Sequence, residues 1–227
     1  MAISALVLYG SCARNDNTEI SDVDLFALTS HDDYRMVVQN KANVALYPTP
    51  LALNMAYNGD LFIFHVITEG RVLYDSNGDF ANLQKCFKLK NSYQKVISNA
   101  SELGWAILKL GKKSTNQTLI NKRIAWCVRT ILIAKAAENR DAVFSSSALK
   151  KYWNDQEASN LIENKESSSL RAKSFRDFEK FLNKWSNIDS LNFDTFKEFQ
   201  EAFSKSENII GSKTLYAFEN DKAFTEY

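Results

Sequence analysis

The 227-residue chain has three cysteines, two prolines, two histidines and almost no net charge, with 28 basic side chains set against 27 acidic ones. Cys12, Cys86 and Cys127 are scattered, with no metal-ligand spacing, and an odd number of isolated thiols fits a reducing compartment better than a disulfide framework. A net charge of +1 argues against a general binder of phosphate backbone. No apolar run approaches the roughly 18 residues a membrane span needs. No basic segment precedes the first apolar run, so nothing resembles a secretory leader. These absences point to a cytoplasmic protein with no membrane partner. The apolar and charged fractions, 45% and 24%, are those of an ordinary globular core and exclude wholesale disorder.

Glycine and proline are distributed unevenly. Five of the seven glycines and both prolines lie before residue 105. Residues 3–9 and 22–28 read as strands, and Asn43 to Tyr47 as a third, ended by Pro48 and Pro50. Residues 51–58 and 61–69 read as helices. Asp60 is placed to cap the second, and Gly70 to stop it. Residues 71–75 read as a strand, and 75–79 as a turn. Beyond about residue 88 the pattern is helical, over 92–111, 116–138, 146–163, 169–186 and 192–206. Phe175, Phe178, Phe181 and Trp185 recur at helical spacing, as do Phe193, Phe196, Phe199 and Phe203. Such stripes mark core faces. Residues 123–137 are apolar nearly all round and suit the central helix of a bundle. The expected fold is α+β: a small mixed-sheet domain over residues 1–80, then an all-α bundle over 81–227.

The stretch YGSCARNDNTEISDVDLF, residues 9–26, carries the chemistry. Side chains two apart on a strand share a face. Asp22 and Asp24 therefore present two carboxylates about 7 Å apart. Like charges held side by side repel, and a divalent cation resolves the repulsion. Mg²⁺ commonly takes one or two carboxylates, substrate phosphates and water. Val23, between them, is expected to point into the core. Upstream, Gly10-Ser11 follows the first strand directly. Glycine lets the chain turn and lets a phosphate approach. Successive backbone N–H groups in such a turn form an anion nest. The Ser11 and Ser21 hydroxyls and the Arg14 guanidinium are further candidate donors. A phosphate cradle, a cation and two carboxylates are the parts of phosphoryl or nucleotidyl transfer.

GSCAR followed by SDVDLF closely resembles the signature of the DNA polymerase beta-like nucleotidyltransferase superfamily. Within it, the chain looks most like the small bacterial minimal and aminoglycoside nucleotidyltransferases. The resemblance spans roughly residues 3–75. It implies that Gly10 and Ser11 meet the phosphates of a nucleoside triphosphate, with Arg14 and Ser21 at commonly polar positions. It implies that Asp22 and Asp24 bind Mg²⁺ or Mn²⁺. The reaction implied is transfer of a nucleoside monophosphate to an acceptor hydroxyl on a small molecule, an RNA end or a protein. The helical half is similar to the bundles that accompany these domains, of the HEPN-like or kanamycin nucleotidyltransferase C-terminal-like kind, and a homodimer is left open as a partner.

The family pattern also has a third carboxylate on a later strand, and the matching position here reads as Ala45, expected to face the cleft. Asp32, Asp33 and Asp60 are possible substitutes. An alanine takes no proton, so a second reading stays open: a catalytically weakened binding or regulatory protein, an antitoxin-like partner. His65 and Glu69 lie four apart on one helix face. They could act in acid–base or metal chemistry, but a hydrogen-bonded packing pair is favoured. The bundle carries no histidine and hence no HEPN nuclease motif. The basic groups Lys85, Lys88 and Lys90, Lys112 and Lys113, and Lys122, Arg123 and Arg129 read mainly as solvated helix faces, with a groove for triphosphate or RNA as the other possibility.

Overall fold

A computed structural model of the chain describes residues 2–19, 21–31, 33–114, 116–169 and 172–220. They fall into two compact units: residues 1–91 with 137–145, and residues 92–136 with 146–227. The architecture is α+β, a mixed sheet with helices and then a run of helices.

The first unit is built on five strands: β1 (Ile3–Tyr9), β2 (Val23–Thr29), β3 (Arg35–Gln39), β4 (Ala42–Pro48) and β5 (Arg71–Asp75). Their spatial order is β3-β4-β2-β1-β5. Neighbours are antiparallel except β2 and β4, which run parallel. The hairpin between β3 and β4 turns at Asn40, whose positive φ of 54° suits a tight connection. The helices are α1 (Gly10–Arg14), α2 (Thr49–Tyr57), α3 (Leu61–Glu69) and α4 (Asp79–Cys86). As expected, Asp60 caps α3: its Oδ1 accepts the N–H groups of Phe62 at 2.8 Å and Ile63 at 3.2 Å. Gly70 ends α3, its N–H bonded to the Val66 carbonyl.

Alternation decides which sheet face is covered. Ala5 and Val7 of β1 stand beside Leu28 and Phe26 of β2. These side chains pack with Ala52 and Ala56 of α2, Ile63 and Val66 of α3, and Phe80 and Leu83 of α4. The segment 137–145 completes this unit. Phe144 is buried, with its ring stacked 4.6 Å from His65 and set edge-on 5.3 Å from Phe64. Arg140 Nη1 donates to the carbonyls of Leu89 and Lys90.

The second unit holds α5 (Gln94–Leu110), most of α6 (Gln117–Glu138), α7 (Ser146–Trp153), α8 (Gln156–Glu163), α9 (Ala172–Trp185), α10 (Phe196–Lys205) and α11 (Ile209–Asn220). The helix expected over 146–163 is two helices. Asn154 takes a left-handed φ of 47°, and Asp155 restarts the chain as the cap of α8, accepting the Ala158 N–H at 2.9 Å. Phe175, Phe178, Phe181, Phe199 and Phe203 are buried, as their spacing implies. So are Ile120, Ile124, Cys127, Val128, Ile131 and Leu132 of α6. Asn208 links α11 to α5: its Nδ2 donates to the Asn99 carbonyl at 2.7 Å, and its Oδ1 accepts the Gly211 N–H at 2.9 Å. No helix among the described residues is long and apolar enough to cross a membrane.

Phe144→Ala should destabilise the first unit by about 3–5 kcal/mol, the usual cost of emptying a buried phenylalanine site. Urea unfolding measures it. A loss below about 1 kcal/mol would show that 137–145 is an incidental strap.

Candidate active site

The candidate site lies where β1 runs into α1. Tyr9, the last residue of β1, is the register partner of Asp24 on β2. The chain then turns at Gly10, whose φ is +72°. A Cβ there would stand 2.9 Å from Asp24 Oδ2. Two constraints therefore select glycine: the left-handed backbone and the carboxylate above it. Ser11 follows in the helical turn, which closes at Asn15 with φ 60° and its N–H on the Ser11 carbonyl. A left-handed residue followed by a helical one is the backbone alternation of an anion nest.

Asp24 is also held from the other side. Its partner on β4 is Asn43, and Asn43 Nδ2 donates to Asp24 Oδ1 at 3.2 Å. Asn43 is only 5% exposed. Asp22 stands just ahead of β2, half-buried, its carbonyl accepting the Cys12 thiol at 3.4 Å. Val23 does not enter the core. It is 37% exposed, because Asp24 beside it takes the helix-covered face of Phe26 and Leu28 and leaves Val23 on the opposite one.

Ala45 is not where the sequence pattern suggested. It pairs with Phe26, is 1% exposed, and lies two residues deeper along the strand than the Asp24 level. The residue beside Asp24 on β4 is Asn43. An asparagine in an otherwise apolar run, NVALY, was the available signal. Of the other acids considered, Asp60 is committed to capping α3, Asp33 is exposed before β3, and Asp32 lies outside the described residues. Among the described residues, no three His, Cys, Asp or Glu side chains form a metal-type cluster.

Arg14 and Ser21 have structural partners. Ser21 Oγ accepts the Thr18 N–H at 2.9 Å and closes the loop ahead of β2. Arg14 donates from Nε to Asp16 at 3.1 Å and from Nη1 to Glu69 Oε2 at 2.5 Å. The same Glu69 oxygen lies 2.9 Å from His65 Nε2. Glu69 thus ties α3 to the end of α1, and the His65–Glu69 pair is hydrogen-bonded. Burial alone would raise the Glu69 pKa, but the bonds and charges of His65 and Arg14 outweigh it and hold the carboxyl below its usual range. Burial likewise opposes the charge on Arg14, and the Asp16 and Glu69 carboxylates overcome it. The basic groups are dispersed: Lys88 sits over the Tyr57 ring, Lys122 pairs with Glu166, and Arg123 is buried in α6.

Residues 1–79 match the family model described as Polymerase beta, Nucleotidyltransferase. They form a polymerase beta-like nucleotidyltransferase domain. The strand, glycine turn and Asp-bearing strand described above lie within the matched residues. The whole chain is also similar to a nucleotidyltransferase-like protein of Exiguobacterium sibiricum 255-15, at 13% identity over 98% of this chain and 75% of that one, with a TM-score of 0.36. A score that low carries no argument. No curated protein matches the chain. The helical unit holds a cavity of about 690 Å³, lined by Trp105, Lys109, Lys112, Phe175 and Arg176 among others.

The lowered Glu69 pKa has a sign that can be tested. Its stabilisation is fully present above the usual carboxyl value of 4.5 and is lost as pH falls through the lower folded value. Glu69→Gln should therefore cost on the order of 2 kcal/mol near neutral pH. The gap to the parent should close as pH falls below that carboxyl range. Thermal melts of the two proteins across acid pH measure it. A gap that does not change with pH would remove the ionic account of this bridge.

Proposed function

We propose that the first unit transfers a nucleoside monophosphate from a nucleoside triphosphate to an acceptor hydroxyl, using Mg²⁺ or Mn²⁺ held by Asp22 and Asp24. The observation that carries this reading is the apposition of Gly10 and Asp24. A side chain at residue 10 would fill the space beside Asp24 Oδ2. Glycine keeps that space open between a carboxylate and a turn rich in N–H donors. The donor set is hard oxygen, which suits Mg²⁺, and two carboxylates leave positions for phosphate oxygens and water.

In this reading each residue has a stated task. Backbone N–H groups at Gly10 and Ser11, with the Ser11 hydroxyl, hold the outer phosphates as pyrophosphate leaves. Asn43 holds Asp24 Oδ1, so that Oδ2 faces the glycine turn. The cation would neutralise charge on the phosphates and help align the attacking oxygen. Arg14 braces the turn through Glu69 instead of reaching phosphate, and Ser21 closes the loop that delivers Asp22. His65 and Glu69 serve packing and charge balance behind Arg14.

Asn43 favours a second reading. An amide takes no proton, so the position beside Asp24 supplies no general base. A weakened enzyme kept as a binding or regulatory partner, in the manner of an antitoxin, follows from that feature. The two readings separate on turnover, since both retain triphosphate binding.

Calorimetric titration with a non-hydrolysable triphosphate in Mg²⁺ should show binding by the parent and its loss in the Asp22→Ala, Asp24→Ala double variant. Equal affinity in the double variant would end the metal role. Asn43→Asp should tighten the metal requirement and, if the missing base limits the rate, raise labelled nucleotide transfer by about 10²-fold or more. Tighter binding with no turnover favours the regulatory reading. Ala45→Asp should instead unfold the unit, because it places a carboxylate beside Phe26 in the core.

A further inference from the structure

We propose that the cavity of the helical unit is a binding site for a small amphipathic monoanion, an aromatic carboxylate, whose binding does not depend on the metal reading given above.

The cavity has a volume of about 690 Å³, within the range of small-molecule sites. Its walls come from α5, the start of α6, α9 and the segment around Ser190 and Leu191. Part of the wall is apolar and fixed. Trp105 and Phe175 are only 6% and 8% exposed, so both rings are packed in place, and Leu108 and Leu191 add to them. Such a wall favours an apolar ring, because both surfaces then leave water. The polar part of the wall is mostly donors: three basic side chains, with Ser114 and Gln117 beside them and Glu179 as the acid.

Charge decides what the ring must carry. Lys109 is answered by Asp194 at 3.2 Å. Lys112 and Arg176 are exposed and have no carboxylate at ion-pair distance among the described residues. Setting Glu179 and Asp194 against Lys109, Lys112 and Arg176 leaves one positive charge over. Two helix ends add to that sign. Gln117 opens α6 and Ala172 opens α9, both line the cavity, and neither helix has an acid in its first turn. The last turn of α5 has the opposite sign, and Lys109 stands in it. The cation and the apolar wall are also neighbours, since Lys112 Nζ lies 5.7 Å from the centroid of the Phe175 ring. A ligand that meets both bears its anionic group directly on its ring. An excess of one charge suits a monoanion, repels a polycation and leaves most of a triphosphate's charge unanswered.

Trp105 supplies the readout. It is the one of the four tryptophans that lines the cavity. Its buried indole N–H has no acceptor among the described residues, so Trp105→Phe removes the fluorophore without breaking a hydrogen bond. The full chain is titrated with naphthoate, with the neutral naphthamide of the same shape, and with ATP, by calorimetry and tryptophan emission. Naphthoate should bind and change the emission, and Trp105→Phe should abolish the optical change while calorimetric binding persists. Naphthamide should bind at least about tenfold more weakly, the usual scale of a hydrogen bond to a charged group. Arg176→Glu and Lys112→Glu should each weaken naphthoate by about the same factor, and Ala172→Phe, at an exposed wall position, should block it by filling the space. The Asp22→Ala, Asp24→Ala double variant should bind naphthoate like the parent. Melting temperatures near the parent's would show that each variant folds. No binding by the parent overturns the proposal. Equal affinity for naphthamide, or for both charge-reversed variants, removes the anion from it. An optical change that survives Trp105→Phe, or binding that survives Ala172→Phe, places the ligand elsewhere. ATP binding more tightly than naphthoate in the double variant overturns the monoanion class.

Discussion

Asp24 and Gly10 compete for the same space, and the outcome organises the first unit. The carboxylate occupies the volume in which a side chain at residue 10 would stand. With a Cβ there, either the turn would open or Asp24 would swing away. Either change would disturb the register that sets Tyr9 against Asp24 and Val7 against Phe26. The glycine is thus a condition on the strand pairing as well as on the site. It converts a strand end into a tight corner against the Asp24 carboxylate.

Charge is distributed around that corner in a consistent way. Arg14 is turned to Asp16 and Glu69. Glu69 in turn serves two donors, Arg14 and His65. This bridge holds α1 against α3, while the Asn43 amide donates to Asp24 Oδ1. An amide orients the carboxylate without neutralising it.

Local signals were enough for much of this fold. Alternation marks β1, β2 and β4, and the Asp60 cap and Gly70 stop delimit α3. The glycine turn and the Asp-x-Asp stretch were legible for the same reason, since a handful of adjacent residues carries them. β3 was not legible, because an edge strand exposed at nearly every position shows no alternation. The break at Asn154 hid inside a helical pattern that continues on both sides. The third-acid position failed for a different reason. Which residue of β4 stands beside Asp24 depends on a parallel register across an intervening hairpin, and nothing local encodes it. Guessing from the apolar context chose Ala45, whereas the register chooses Asn43, two residues earlier.

That shift of two residues changes what kind of site the corner can be. Both positions lie on the helix-covered face, so alternation could not have separated them. Burial does. At position 45 an acid would sit beside Phe26 with no donor, and its ionised form would be strongly disfavoured. At position 43 an acid would sit beside Asp24, where a shared cation can offset the repulsion. Asparagine is nearly isosteric with aspartate, so the pocket has the shape for an acid and lacks the charge. With two carboxylates instead of three, cation affinity rests more heavily on oxygens that the triphosphate brings. Cation and nucleotide should then bind as one event, each weak without the other. Such coupling suits a slow transferase and a nucleotide-responsive partner equally well. The choice between them turns on whether any group reaches the acceptor's proton.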